Sequence, residues 1–308
     1  MALRPYLIEE ITLDCADGVL SRREALRRLG LLGVSGSAAS TLLAAAPGHA
    51  AASGDSTTPP TSSGTDSTTP PTSSGTDSTS PIEEGEEIVF PGPDGDLFGV
   101  FSEAEQVNGA VLVIHENRGL TSHIRSIPPR LAADGYSALA IDLLSAEGGT
   151  ASLPSEGDAT AALGEAPIER MIADLRAGVD ELERRVPDAK LAVIGFCFGG
   201  GLTWQLLAAG EPRISAAVPF YGPLPDDADF SGSPSAAVLG IYAELDDRVN
   251  ASRDAAEAAL ESAGLEYELR TYDGVDHAFF NDTGPRYDAD AAAAAYAAML
   301  DWFDRHLD

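Results

Sequence analysis

From residue 86 onward the apolar positions alternate between the two spacings that distinguish strands from helices. Residues 86–90 and 97–102 are short strand-like runs joined through Pro91-Gly92-Pro93-Asp94-Gly95, a turn-rich link that predicts a hairpin. Ala110-Val111-Leu112-Val113-Ile114 is apolar throughout, the pattern of a strand covered on both faces. A helix is expected over residues 124–133, stopped by Asp134-Gly135, and then a strand over 136–141. Ile168, Met171, Ile172, Leu175, Val179, Leu182 and Val186 recur at helical spacing and end before Pro187. Beyond the run Leu191-Ala192-Val193-Ile194 come a helix to Ala209, strands at 214–219 and 236–243, a helix at 251–263 and a strand at 265–271. A closing helix sets Tyr296, Met299, Leu300, Phe303 and Leu307 on one face. Such alternation predicts an α/β fold, a mainly parallel sheet with helices on both faces. In such a sheet the site belongs to the loops at the C-terminal ends of the strands.

One of those ends stands out. The run 191–194 stops at Gly195-Phe196-Cys197-Phe198-Gly199-Gly200 and passes into helix-like sequence, the pattern of a nucleophile elbow. The glycines let the backbone turn too tightly for a side chain, which lifts residue 197 above the sheet edge. With cysteine there, the attacking group is a thiolate. A buried, inert thiol is the ordinary fate of an unpaired cysteine, but two later residues argue for chemistry. Asp246 follows the strand-like Val238-Leu239-Gly240-Ile241-Tyr242-Ala243, and His277 lies in the loop after the next strand. Nucleophile, acid, base is the chain order that an elbow triad requires. Asp247 is a rival for the acid.

Together, the elbow, Asp246-Asp247-Arg248-Val249 and Asp276-His277-Ala278-Phe279 resemble the dienelactone hydrolases (carboxymethylenebutenolidases), a cysteine branch of the α/β-hydrolase fold. His115-Glu116-Asn117-Arg118-Gly119, and Asp142-Leu143-Leu144 followed by Gly148-Gly149, are similar to that family's segments too. The resemblance runs from about residue 83 to the C-terminus. It implies hydrolysis of lactones or small esters, with Cys197 as nucleophile, His277 as base then acid, and Asp246 orienting the imidazole. The oxyanion donors would be the backbone N–H groups of Phe198 and Asn117. The resemblance also implies that Glu116 contacts the resting thiol and swings away when substrate binds; a carboxylate there would hold the thiol protonated. Family members that act on an anionic lactone use arginines near the histidine, whereas this chain has Asn281; Arg118 or Arg286 are the candidate replacements. His115 and His123 beside Glu116 match no zinc spacing, and His115 is expected to pack at a strand end, so neither metal nor cofactor is expected. Two other readings stay open: a broader carboxylesterase or thioesterase, and a catalytically silent binding module at the cell surface.

The first part of the chain follows other rules. Ser21-Arg22-Arg23 precedes an uncharged, Gly/Ala/Ser-rich stretch over 29–48 with no polar face, and small residues at Gly48, Ala50 and Ala52 offer cleavage positions. Residues 1–52 therefore resemble a twin-arginine export signal, with the export machinery as partner and an extracellular or cell-surface destination. The string STTPPTSSGTD at 56–66 recurs unchanged at 67–77, so residues 53–81 are expected to be a disordered linker. That leaves 82–308 as one globular domain. Cys15 would leave with the signal, which excludes a disulfide framework.

The net charge is −30, with Lys190 as the single lysine. The first 50 residues hold five arginines and five acids, so the excess lies beyond them. Such a surface argues against nucleic-acid binding and predicts a salt-adapted protein, because self-repulsion fades as salt screens it.

Overall fold

The structure, a computed structural model, describes residues 3–46 and 85–307. The linker expected at 53–81 and the small-residue cleavage positions lie outside the described residues. Helices α1 (Leu3–Ala16), α2 (Arg22–Leu31) and α3 (Gly36–Ala45) come first. Strands β1 (Glu86–Pro91), β2 (Asp96–Ser102) and β3 (Gly109–Ile114) follow, then α4 (Ser122–Arg125), α5 (Ile127–Ala133), β4 (Tyr136–Asp142), α6 (Glu156–Glu165) and α7 (Ile168–Arg185). The second half runs β5 (Leu191–Phe196), α8 (Phe198–Ala208), β6 (Ile214–Phe220), β7 (Ala237–Ala243), α9 (Asp247–Asn250), α10 (Arg253–Ala263), β8 (Tyr267–Tyr272) and α11 (Ala289–His306).

The eight strands form one sheet in the order β1-β2-β4-β3-β5-β6-β7-β8. β1 and β2 make the expected hairpin, and β2 joins β4 antiparallel. From β4 to β8 every pair is parallel. β3 and β5 are buried along their whole length, as a sheet covered on both faces demands. The chain leaves β3 for β4 on one side and returns to β5 on the other, so the strand order reverses between β3 and β5. The crevice at that reversal is where α/β sheets take ligands, and it lies between residues 115–117 and Cys197.

Local chemistry explains where the expected elements changed. The helix expected over 124–133 is two, meeting at Ser126, because Pro128 and Pro129 carry no N–H to continue a helix and fit only its first turn. The helix expected from 251 starts at Arg253, behind the short turn α9 that Asp246 caps. α6 was not foreseen, since Glu156–Glu165 is rich in small residues and shows little periodicity. α1–α3 do not stand apart from the domain. Leu7, Ile11, Leu29 and Leu32 are buried in one apolar cluster with Leu163 of α6 and the sheet. Among the described residues, no helix is long and apolar enough to cross a membrane.

α7 buries one polar residue beside its apolar stripe. Burial pushes the Asp174 carboxyl up to about 6, against the pull of Arg170, whose Nε lies 3.9 Å away. A carboxyl raised in the folded state favours folding while protonated, so this contribution is lost as pH rises from about 4 to about 6. Asp174→Asn is expected to leave stability at pH 4 unchanged and to raise it by about 1–3 kcal/mol above pH 6. Denaturant unfolding at both pH values measures this, and an equal effect at both would contradict it.

Candidate active site

Cys197 occupies a backbone conformation that side chains avoid, φ +56° and ψ −115°, between the end of β5 and the start of α8. Close packing holds it there. A Cβ on Gly195 would lie 2.1 Å from the carbonyl oxygen of Gly199, one on Gly199 would lie 2.4 Å from that of Ile114, and one on Gly200 would lie 2.4 Å from that of Phe220. Only glycines let α8 descend onto the ends of β3 and β6. Phe198 is the first residue of α8, and its N–H is one of the helix's unpaired terminal donors.

Asp246 and His277 come from the strand ends of β7 and β8. Asp246 caps α9 through Oδ1, which accepts from the Val249 N–H at 3.1 Å, and its Oδ2 lies 2.5 Å from His277 Nδ1. Asp247 points into solvent, so the geometry pairs Asp246 with the histidine. The Tyr221 ring stands edge-on to the imidazole, centroids 5.0 Å apart, and fixes its plane. The His277 nitrogen and the Cys197 sulfur lie within 4.8 Å of each other. Three residues from distant parts of the sequence thus meet at one sheet edge.

The carboxylate at the sulfur is not the expected one. Glu116 Oε2 instead accepts a 2.7 Å hydrogen bond from Asn281 Nδ2, and its Oε1 has no partner among the described residues. Asn281, at the position considered for substrate binding, turns Glu116 toward the histidine loop. In its place stands Glu10 of α1. Cys197 Sγ donates to Glu10 Oε1 at 3.2 Å, and the same oxygen lies 3.4 Å from His277 Nε2. Glu10 Oε2 accepts from Arg248 Nη2 at 2.8 Å. The Tyr6 hydroxyl lies 3.4 Å from the sulfur, with the Arg248 guanidinium stacked 4.3 Å from its ring centroid.

The remaining candidates have other partners. His115 is fully buried and structural: Nδ1 donates to the Glu116 carbonyl at 2.7 Å, and Nε2 accepts from the Leu143 N–H at 3.1 Å. His123 is buried against Asp282, its Nδ1 2.8 Å away. The Asn117 carbonyl accepts from Thr160 Oγ1 at 3.0 Å, and its N–H, like that of Phe198, bonds to no other described residue. Arg118 contacts Glu156 at 3.5 Å. Arg286 is engaged by Asp14 and Asp17 at 2.8 and 2.7 Å, and by Asp276 at 3.3 Å. Glu10, Tyr6 and Arg248 escaped the sequence reading. For Glu10 and Tyr6 the only signal is the spacing of polar residues on α1, which means nothing until the surface opposite is known, and Arg248 of α9 carries a signal only as part of the motif at 246–249.

The charges settle accordingly. Burial and the Glu10 carboxylate push the Cys197 thiol up. Burial works against a charged His277, yet Glu10 and Asp246 hold it well above the ordinary histidine range. Burial likewise opposes a charged Glu10, but His277 and Arg248 hold its carboxyl well below the usual carboxylate range. The arrangement is an imidazolium between two carboxylates, beside a protonated thiol. The elbow itself should not tolerate a methyl group. Gly199→Ala is expected to cost more than about 3 kcal/mol, because its Cβ meets backbone that cannot give way; thermal unfolding measures this, and an unchanged midpoint would contradict the packing argument.

Comparison with known proteins identifies the family. The family model described as "Dienelactone hydrolase family" matches residues 98–307. A protein of Escherichia coli O157:H7 that carries the name carboxymethylenebutenolidase is 34% identical over 210 residues, 64% of this chain and 76% of the relative. One of the same name from Salmonella typhi is 32% identical over 233 residues, covering 70% and 85%. A crystal structure from Klebsiella pneumoniae, titled as a dienelactone hydrolase, superposes with a TM-score of 0.62 at 28% identity, over 72% of this chain and 98% of that one. With more than half of its length matched, and that sheet shared, the chain belongs to the dienelactone hydrolase family and is a hydrolase of the α/β-hydrolase fold.

Proposed function

We propose that this protein cleaves lactones or small carboxylic esters through a Cys197–His277–Asp246 triad and a thioester acyl-enzyme. The observation that carries this reading is the 2.5 Å contact between Asp246 Oδ2 and His277 Nδ1, on an imidazole whose other side faces the sulfur of the strained elbow. Displacing Glu10 removes the carboxylate that most favours a charged His277; the neutral imidazole's Nε2 then takes the thiol proton as the sulfur bonds to the carbonyl carbon, and the carbonyl oxygen becomes an oxyanion. The N–H groups of Phe198 and Asn117 receive that charge. Collapse expels the alkoxide, which takes the proton back from the imidazolium; in a lactone it stays tethered to the acyl group. Water, deprotonated by His277, then attacks the thioester, and the acid leaves as the thiol re-forms. Asp246 does not itself take a proton: it holds the tautomer and offsets the imidazolium charge.

Glu116, buried and held by Asn281, adds negative charge near the sulfur and favours its protonated form. The twin arginines, both exposed on the surface, support export as the destiny of the chain. The acidic surface supports work in concentrated salt.

The triad is tested by substitution. Cys197→Ala is expected to abolish aryl-ester hydrolysis, and Asp246→Asn to lower kcat by about 10²–10⁴ with little change in KM. Cys197→Ala with undiminished turnover would end the proposal. Comparing turnover of a simple lactone with that of an aryl ester separates a lactonase from a broad esterase. For the surface, the thermal midpoint is expected to rise steadily between about 0.1 and 1 M salt, as screening shortens to roughly 3 Å; a flat profile would remove the case for salt adaptation.

A further inference from the structure

The oxygen that touches both nucleophile and base lies outside the family-matched residues 98–307, on the first helix of the chain. Tyr6, Glu10 and Asp14 succeed one another a turn apart on α1 and share a face. Each of them lands on the catalytic side of the sheet. Tyr6 covers the sulfur, Glu10 bridges sulfur, imidazole and Arg248, and Asp14 with Asp17 grips Arg286 beside the histidine loop. The apolar side of the same helical unit is fastened too. Leu7 and Leu32 close over Gly164 of α6, Arg28 pairs with Glu156 at 3.4 Å, and Arg27 donates to Ser155 Oγ at 2.8 Å.

This seat is incompatible with a bound ester. A carbonyl about to be attacked needs the space within about 3–3.5 Å of the sulfur, and Glu10 Oε1 at 3.2 Å with the Tyr6 hydroxyl at 3.4 Å fill it. Only 2% of Cys197 is exposed. A cavity of about 540 Å³ does open between α1, α3 and the loops of Asp246 and His277, but Cys197 is not among the residues that line it. What stands at the sulfur is a carboxylate against an imidazolium, with an arginine on its second oxygen. That is the chemistry of the acid that ester cleavage would leave behind.

We infer that residues 3–45 form a self-inhibiting segment, in which α1 docks as a mimic of the carboxylate product and holds the hydrolase closed until the segment leaves. The inference rests on the Cys197 hydrolase reading. It gives the helices bearing the twin arginines a second role, since while attached they hold hydrolysis to the small fraction of time the segment is unseated, and a cut beyond α3 frees the site. The seated state depends on opposite charges. It weakens as pH rises through the raised His277 value or falls through the lowered Glu10 value, with Asp246, Arg248, Glu116 and Cys197 facing the same pair.

The test uses the full chain in a Cys15→Ser background, so that Cys197 is the single thiol. Glu10→Lys sets a cation against Arg248 and His277. The double variant Asp14→Lys/Asp17→Lys unseats α1 without touching the sulfur. Each protein is followed by circular dichroism, by the rate of iodoacetamide alkylation and by kcat/KM for 4-nitrophenyl acetate. Both variants are expected to keep the helical signal and to raise alkylation and hydrolysis by about tenfold or more, as a segment seated nearly all the time implies. Alkylation rates equal to the parent's in both variants would overturn the inference. So would Glu10→Lys losing hydrolysis while alkylation stays constant, which would make Glu10 a working catalytic group. Adding Cys197→Ala to the double variant keeps the two readings apart: hydrolysis that survives it sinks the hydrolase reading, while the gain in alkylation seen with Cys197 intact still supports the plug.

Discussion

Everything at this site depends on how closely α8 approaches the sheet. Gly195, Gly199 and Gly200 leave no room for a methyl group against backbone of the neighbouring segments, and that contact forces Cys197 into its left-handed conformation. The same descent brings the N–H of Phe198, which has no partner among the described residues, beside the residues that follow β3. The Cys197 sulfur and the Phe198 N–H are therefore positioned by backbone packing. The imidazole is then added from the far side of the sheet, where Asp246 is fixed as a helix cap before it ever meets His277.

The second constraint is electrostatic. Burying a charged imidazole is costly unless its partners are good ones, and here two carboxylates flank it, Asp246 on Nδ1 and Glu10 near Nε2. Glu10 in turn shares its charge with Arg248. Removing α1 from this cluster would leave Arg248 and Arg286 without these carboxylates, beside an opened sulfur. The segment and the catalytic loops are thus joined by charge as well as by the apolar contacts of Leu7, Ile11 and Leu32.

Much of this was legible in the sequence, for reasons of range. The fully apolar runs of β3 and β5, the elbow glycines and the order Cys197, Asp246, His277 are local patterns with one structural meaning each. Ser126 divides an expected helix because two prolines follow it, also a local fact. α6 was harder, since Glu156–Glu165 offers small residues in place of a clear stripe. α1 was opaque for a different reason. Its Tyr6–Glu10–Asp14 face has meaning only against Arg248 and Arg286, more than two hundred residues away. The placement of Glu116 failed in the same way. The hydrogen bond from Asn281 and the arrival of Glu10 are long-range facts that no motif carries.

The proposed chemistry stands on sulfur becoming acylated. Mixing the full-length protein with an activated aryl ester, quenching in acid and mapping the digest by mass spectrometry reads that event directly. The added acyl mass should fall on the peptide containing Cys197 and disappear on mild hydroxylamine treatment, as a thioester does. Product release with the acyl group on another residue, or on none while turnover continues, would contradict it.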